Sequence, residues 1–137
     1  LFDDAFGFVC RKDHPLTNSK DPISWHMMKD QKFIANGLCK QLTDPDFSDI
    51  IARSQRIVPN TTSLLSLVRQ GVGTTVLPRL VIVDRFDELT FLPLADPSAR
   101  RTVHLMTGPL KRLTPATREF ISLMREMKTD GGLLADS

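Results

Sequence analysis

Residues 60–78 (Asn-Thr-Thr-Ser-Leu-Leu-Ser-Leu-Val-Arg-Gln-Gly-Val-Gly-Thr-Thr-Val-Leu-Pro) restrict the fold more than any other stretch, because they spell a helix followed at once by a strand. The side-chain oxygens of Asn60, Thr61, Thr62 and Ser63 can accept the orphan amides of a helix start, so a helix is expected to begin at one of them. Leu64, Leu65, Leu67 and Val68 then share one apolar stripe of helical period. Gly71 can close the helix in the left-handed conformation, and Gly73 permits a second tight turn. A short β-prone run follows over 74–77, and Pro78 offers no further amide to a ladder.

The order of these parts bears on function. In phosphate-binding loops the glycines precede the helix, so that bare amides at its N-terminus meet the anion. Here they follow it, and Gly71 and Gly73 read as a helix stop and a close helix-to-strand approach. The Asn/Thr-lined N-terminus has two readings: ordinary capping, or a site that holds a small anion or carboxylate through amides, hydroxyls and the helix dipole.

Along the chain, helix and strand signals alternate. Residues 6–10 read as a buried strand, and 11–15 turn it outward. Ser24 can cap a short helix carrying Trp25 and Met28. A strand over 32–35 ends at the turn dipeptide Asn36-Gly37. Asp44-Pro45 reads as a cap followed by the first helical residue, with Phe47, Ile50 and Ile51 on the apolar face. A strand over 56–58 leads to Pro59 and the central unit, a short helix is expected over 78–84, and strands over 89–94 and 102–107. Thr114 and Pro115 open a longer helix with Phe120, Ile121, Leu123, Met124 and Met127 on its stripe; Gly131-Gly132 would end it, leaving 131–137 as a disordered tail. The pattern predicts an open, mostly parallel α/β sheet with helices on both faces. Ligands of such sheets gather at the carboxyl ends of strands. Two loops meet that description, Ala35-Asn36-Gly37 and Pro59-Asn60-Thr61-Thr62.

With 137 residues the chain fits one domain able to bury a real core, and its net charge of +2 is too small to imply nucleic acid by itself. Seven cations between Arg100 and Lys128 face only Glu119 and Glu126, but they form no contiguous run and lack interleaved aromatics, so a solvated helix face is expected. Cys10 and Cys39 are too few for a disulfide framework and fit a reducing, cytoplasmic setting. No secretory pattern occurs near the start, and the longest aliphatic run, 80–83, is far too short for a bilayer. The opening Leu1-Phe2-Asp3-Asp4 suggests a piece of something longer.

Chemistry is sparse. His14, His26 and His104 are isolated, and read as turn, helix-surface and strand residues. Asp44, Asp46 and Asp49 imitate a calcium loop, but its sixth position would be Asp49 rather than Gly and its twelfth Gln55 rather than Glu. No serine lies in G-x-S-x-G. Cys39 beside Lys40 has no resolving partner nearby, which disfavours a redox switch. No nucleophile, general base, metal set or cofactor motif assembles, so an enzyme is not expected.

Taken in order, these segments resemble the effector-binding domain of LysR-type transcriptional regulators. The strand over 6–10 with Arg-Lys-Asp-His-Pro-Leu at 11–16, Pro-Ile-Ser-Trp at 22–25, Phe33-Ile34, the run 63–78, Leu94-Ala95-Asp96-Pro97 with Arg101, and Thr114-Pro115-Ala116 with Phe120 carry the resemblance, over about residues 1–128. It implies a fold of the periplasmic-binding-protein type II class, two Rossmann-like subdomains with a small effector in the cleft between them. Residues 8–104 would be the second regulatory subdomain. Residues 1–7 and 105–130 would be crossover strands and a helix of an otherwise missing first subdomain. The resemblance points to the same two loops as effector-binding, to DNA contact only through a missing N-terminal part, and to a homodimer or homotetramer without membrane attachment. A solute-binding receptor of a transport system would share the fold. The stripe of the last helix, left without its subdomain, predicts self-association.

Overall fold

The computed structural model describes residues 1–82 and 87–129. The chain forms β1 (Phe2–Arg11), α1 (Trp25–Met28), α2 (Pro45–Arg53), α3 (Thr61–Arg69), β2 (Thr75–Pro78), β3 (Leu89–Pro93), β4 (Arg100–Val103) and α4 (Pro115–Thr129). Single 3-10 turns lie at Pro15–Asn18, Gly37–Gln41, Arg79–Val81 and Leu110–Arg112. Two compact units result: Asp4–Arg101, and Leu1–Asp3 with the chain from Thr102 onward.

In the larger unit, β1 lies between β2 and β3 and runs antiparallel to both, with Val9 opposite Thr75 and also opposite Phe91. Parallel bridges extend the sheet outward: Phe33 to Thr74, Ala35 to Ile57, and Ile23 to Leu94. Thr74 leads directly into β2 and Leu94 directly out of β3, so β2, β3 and the segments bridged to them run in one direction, opposite to β1. The expected mostly parallel sheet is met only in these isolated bridges: the ladders of β1 with β2 and β3 are antiparallel, and β4 also pairs with β1. The expected strands over 32–35 and 56–58 are reduced to these bridges. Ser54 joins their starts, its hydroxyl lying 2.9 Å from the Phe33 carbonyl and 2.8 Å from that of Arg56.

Alternation along the strands sorts the core into two clusters, one on each face. Phe6, Phe8 and Cys10 join Phe33, Ala35 and Val76 against α1 and α2, where Trp25 stacks on Phe47 at 4.7 Å. Val9, Ile34 and Leu77 point the other way, against Leu64, Leu65 and Val68 of α3. Phe8, Phe47 and Leu64 are wholly buried, each stabilising the fold by about 1.5–3 kcal/mol. Such two-sided burial is why the inner segments read as continuous apolar runs.

The helix–strand unit forms as its sequence dictates. Asn60 caps α3, its Oδ1 accepting the Ser63 amide at 2.9 Å. Gly71 has φ +77°, the left-handed stop. Gly73 is held against the neighbouring strand, where a Cβ would fall on the Lys32 carbonyl oxygen.

Asp4, fully buried, accepts from Arg101 Nε at 3.0 Å and from the Leu80 amide at 3.2 Å. In the smaller unit, the Leu1 ammonium donates to the Val103 carbonyl and Thr102 Oγ1 donates to Asp3 at 2.8 Å. Thr114 receives the Thr117 amide at 3.2 Å at the start of α4. Ile121 of that helix is buried while Phe120, Leu123 and Met127 are exposed.

Several boundaries differ from expectation. β1 starts at Phe2, since Asp3 and Asp4 are tied by side-chain bonds that composition cannot announce. β4 covers Arg100–Val103, so His104 lies beyond the strand. The helix expected over 78–84 is a 3-10 turn at Arg79–Val81; its residues 83–84, the Gly131-Gly132 stop and the tail 131–137 lie outside the described residues.

Candidate functional site

Ala35 and Ile57 sit side by side in the sheet, the Ala35 amide donating to the Arg56 carbonyl at 3.0 Å and the Val58 amide donating to the Ala35 carbonyl at 2.9 Å. Because these segments are parallel, the chain leaves both at the same, carboxyl, end of the sheet. The loops over 35–37 and 59–62 are thereby brought together, as the sequence pattern requires. The first leads into the 3-10 turn Gly37–Gln41 and the second into α3. The only charged residue within 35–41 and 58–63 is Lys40, so no carboxylate in either loop opposes an incoming anion.

The seven residues nevertheless divide sharply. Ala35 is buried in the sheet, and Asn36 is 6% exposed. The Asn36 Nδ2 donates to Thr75 Oγ1 at 3.0 Å and to the Val76 carbonyl at 3.1 Å, while its Oδ1 accepts the Leu38 amide at 2.9 Å. Thr75 passes its own hydroxyl hydrogen to the Ile34 carbonyl at 2.8 Å. That carboxamide is spent on joining strands and capping a turn. Gly37, Pro59, Asn60 and Thr62 are exposed, and Thr61 is half-buried. A Cβ on Gly37 would meet nothing within 4 Å, so this backbone borders open space. The amides of Thr61 and Thr62 lie in the first turn of α3, where no intrahelical carbonyl reaches them. Open amides and the positive end of a nine-residue helix can bind an anion.

Sequence reasoning passed over Thr75, whose hydroxyl organises the inner loop. The signal was a pair of threonines, Thr74 and Thr75, within an otherwise apolar buried run.

The remaining candidates are structural. Asp44 caps α2 through the amides of Asp46 at 2.9 Å and Phe47 at 3.3 Å. Among the described residues no group of three or more His, Cys, Asp or Glu side chains could hold a metal ion. His14 caps a 3-10 turn by accepting the Leu16 amide at 3.1 Å and packs edge-on against Phe8. Burial pushes the Cys39 thiol up to about 11, and burial with the nearby Asp13 carboxylate pushes Cys10 up to about 12. Neither is the low-pKa, accessible thiol that redox sensing needs. No described helix is long and apolar enough to cross a membrane.

A protein-family model, the LysR substrate binding domain, matches residues 1–129. A relative from Escherichia coli K12, the uncharacterized HTH-type transcriptional regulator YbhD, is 26% identical over 136 residues, 95% of this chain and 43% of that protein. The chain thus spans less than half of that relative. Similar solved structures include the effector binding domain of QuiR in complex with shikimate, with a TM-score of 0.65, 22% identity and coverage of 89% of this chain and 60% of that one. The regulatory domain of Synechocystis PCC6803 CcmR in complex with 2-PG gives a TM-score of 0.62 at 20% identity, covering 89% and 62%. The BenM effector binding domain with its effector benzoate gives 0.61 at 17% identity, covering 96% and 63%. At these identities the likeness concerns the fold, which is the α/β fold of the periplasmic-binding-protein type II class.

Proposed function

Because this chain belongs to the LysR substrate-binding domain family, we propose that it is the ligand-sensing part of a LysR-type transcriptional regulator, and that its effector is a small anion or carboxylate bound at the carboxyl end of the sheet. The observation that carries the site is the convergence of the two loops through the Ala35–Ile57 bridge, with the first turn of α3 at its open side. In this reading Asn36 and Ala35 fix the floor, Gly37 and Pro59 border the ligand, and Asn60, Thr61 and Thr62 supply amides and hydroxyls. The chain acts without catalysis, in the cytoplasm, and effector binding shifts the population of regulator conformations.

The larger unit, Asp4–Arg101, corresponds in this proposal to the second regulatory subdomain, expected over 8–104. The smaller unit corresponds to crossover strands and a helix of the first. DNA contact belongs to a segment outside this chain, so the chain alone is expected to bind a promoter duplex weakly at moderate salt. Copies associate as dimers or tetramers. The exposed Phe120, Leu123 and Met127 of α4 are the surface such association would cover.

The site is tested by following backbone amides in NMR spectra during titration with benzoate, shikimate and 2-PG, the compounds bound by the structural neighbours. Saturable shifts concentrated at Gly37, Thr61 and Thr62 are expected for at least one of them. Shifts scattered over the surface, or centred away from both loops, would overturn the placement.

A further inference from the structure

The other end of the same strands carries a second concavity. A cavity of about 400 Å³ opens between residues 29–32, which follow α1, and the last turn of α2 with residues 54–56. Its volume is in the range of small-molecule sites. The arrangement follows from the core: Phe33 meets Phe47 edge-to-face at 5.7 Å and Trp25 stacks on Phe47, which pins both helices over the strand starts. Met28, Phe33 and Ile50 contribute a buried apolar floor.

The rim is cationic. Lys29, Lys32, Arg53 and Arg56 line it, with Asp49 as the only acid. Lys29 has an outlet in Asp46, 3.8 Å away. Lys32, Arg53 and Arg56 make no ion pair among the described residues. Arg53 lies in the last turn of α2 and complements its dipole in any case. Lys32 and Arg56 stand at strand starts and have no such task. With Lys29 assigned to Asp46 and Asp49 offsetting one more charge, the cavity keeps the positive charge of about two cations, against +2 for the whole chain.

We propose that this cavity is a second ligand site that takes a compact dianion, the phosphate monoester of a small apolar group. The phosphate meets Lys32, Arg53 and Arg56, whose guanidinium forks match its oxygens. The apolar part lies over Met28, Phe33 and Ile50. A single tetrahedral dianion suits three cations on one rim better than two separated carboxylates would. The site is independent of the loops at the carboxyl end and of the effector assigned to them.

Phenyl phosphate is the probe, titrated into the whole chain by calorimetry and by NMR. Saturable binding is expected below roughly 1 mM, weakening with added salt and shifting amides of residues 29–33 and 53–56. The double substitution R53Q/R56Q should weaken it roughly tenfold or more, whereas Asn60→Asp should leave the saturable shifts of residues 29–33 and 53–56 unchanged. Asp49→Asn, a surface change that keeps the fold, should tighten it by removing the one opposing charge. The proposal is overturned if phenyl phosphate does not saturate, if R53Q/R56Q binds like the parent, or if Asp49→Asn fails to tighten binding. Loss of those cavity shifts in Asn60→Asp would also overturn it, by assigning the phosphate to the start of α3.

Discussion

Two loops leave neighbouring strands at the same end of the sheet, each with an asparagine capping the helical turn after it, and the two asparagines do different work. Asn36 is enclosed and its side chain makes three hydrogen bonds, two of them to β2. Asn60 is exposed and makes one side-chain bond, to the Ser63 amide. The first is a strut of the core; the second holds a helix end open to solvent. Residue type and capping role are identical, so the difference lies in what stands opposite each side chain. For Asn36 that is a parallel neighbour within reach, and for Asn60 it is water. A site built from such a pair has a rigid inner wall and an adaptable outer one.

The contrast between the two asparagines can be broken most directly at the strut. Asn36→Ala leaves Val76 and Leu38 backbone groups and the Thr75 hydroxyl without their partner, and a loss of about 3 kcal/mol is expected in urea unfolding. A loss below about 1 kcal/mol would show the inner loop to be as loosely tied as the outer one. Next in size is the reactivity of Cys39, which sits in the turn behind Asn36. With its thiol raised from 9.0 to about 11, the thiolate fraction at pH 8 falls on the order of 100-fold, and a thiol reagent should modify it only after unfolding. Because the folded state favours the protonated thiols of Cys39 and Cys10, their contribution to stability is complete below pH 9 and declines as pH rises toward 11 and 12. Stability that instead increased over that range would contradict the enclosure. Asn60→Ala is the smaller counterpart. Losing an exposed cap costs about 1 kcal/mol, measurable as a lowered midpoint without a change in urea slope.

Much of this was legible locally. The span 60–78 announced its cap, stripe, stop and strand, because each depends on residues adjacent in sequence. Asp44-Pro45, Ser24 and Thr114 marked helix starts for the same reason. The division between the two asparagines was not legible, since Asn36-Gly37 reads as a turn wherever it occurs and its bonds to Thr75 and Val76 cross some forty residues. The antiparallel direction of β1 was equally hidden, because an inner strand covered on both faces has the same apolar run in either direction. The expected helix over 78–84 gave way to a 3-10 turn where Leu80 donates its amide to Asp4, a bond between residues 76 positions apart in sequence. The cationic cavity escaped for a related reason: Lys29, Lys32, Arg53 and Arg56 are dispersed in sequence and meet only through the packing of Phe33 against Phe47.

The central claim is that Asn60 stands at an anion site as well as at a helix cap, and Asn60→Asp separates the two roles. Aspartate caps as well as asparagine and favours the helix dipole, but it places a negative charge where the charge of the proposed effector would sit. Calorimetric titration of the parent and Asn60→Asp with benzoate, alongside thermal melts, is the deciding measurement. The expected result is a melting temperature within about 2 °C of the parent with affinity reduced roughly tenfold or more. Equal affinity in the two proteins, at equal stability, would mean that Asn60 caps a helix and does nothing else.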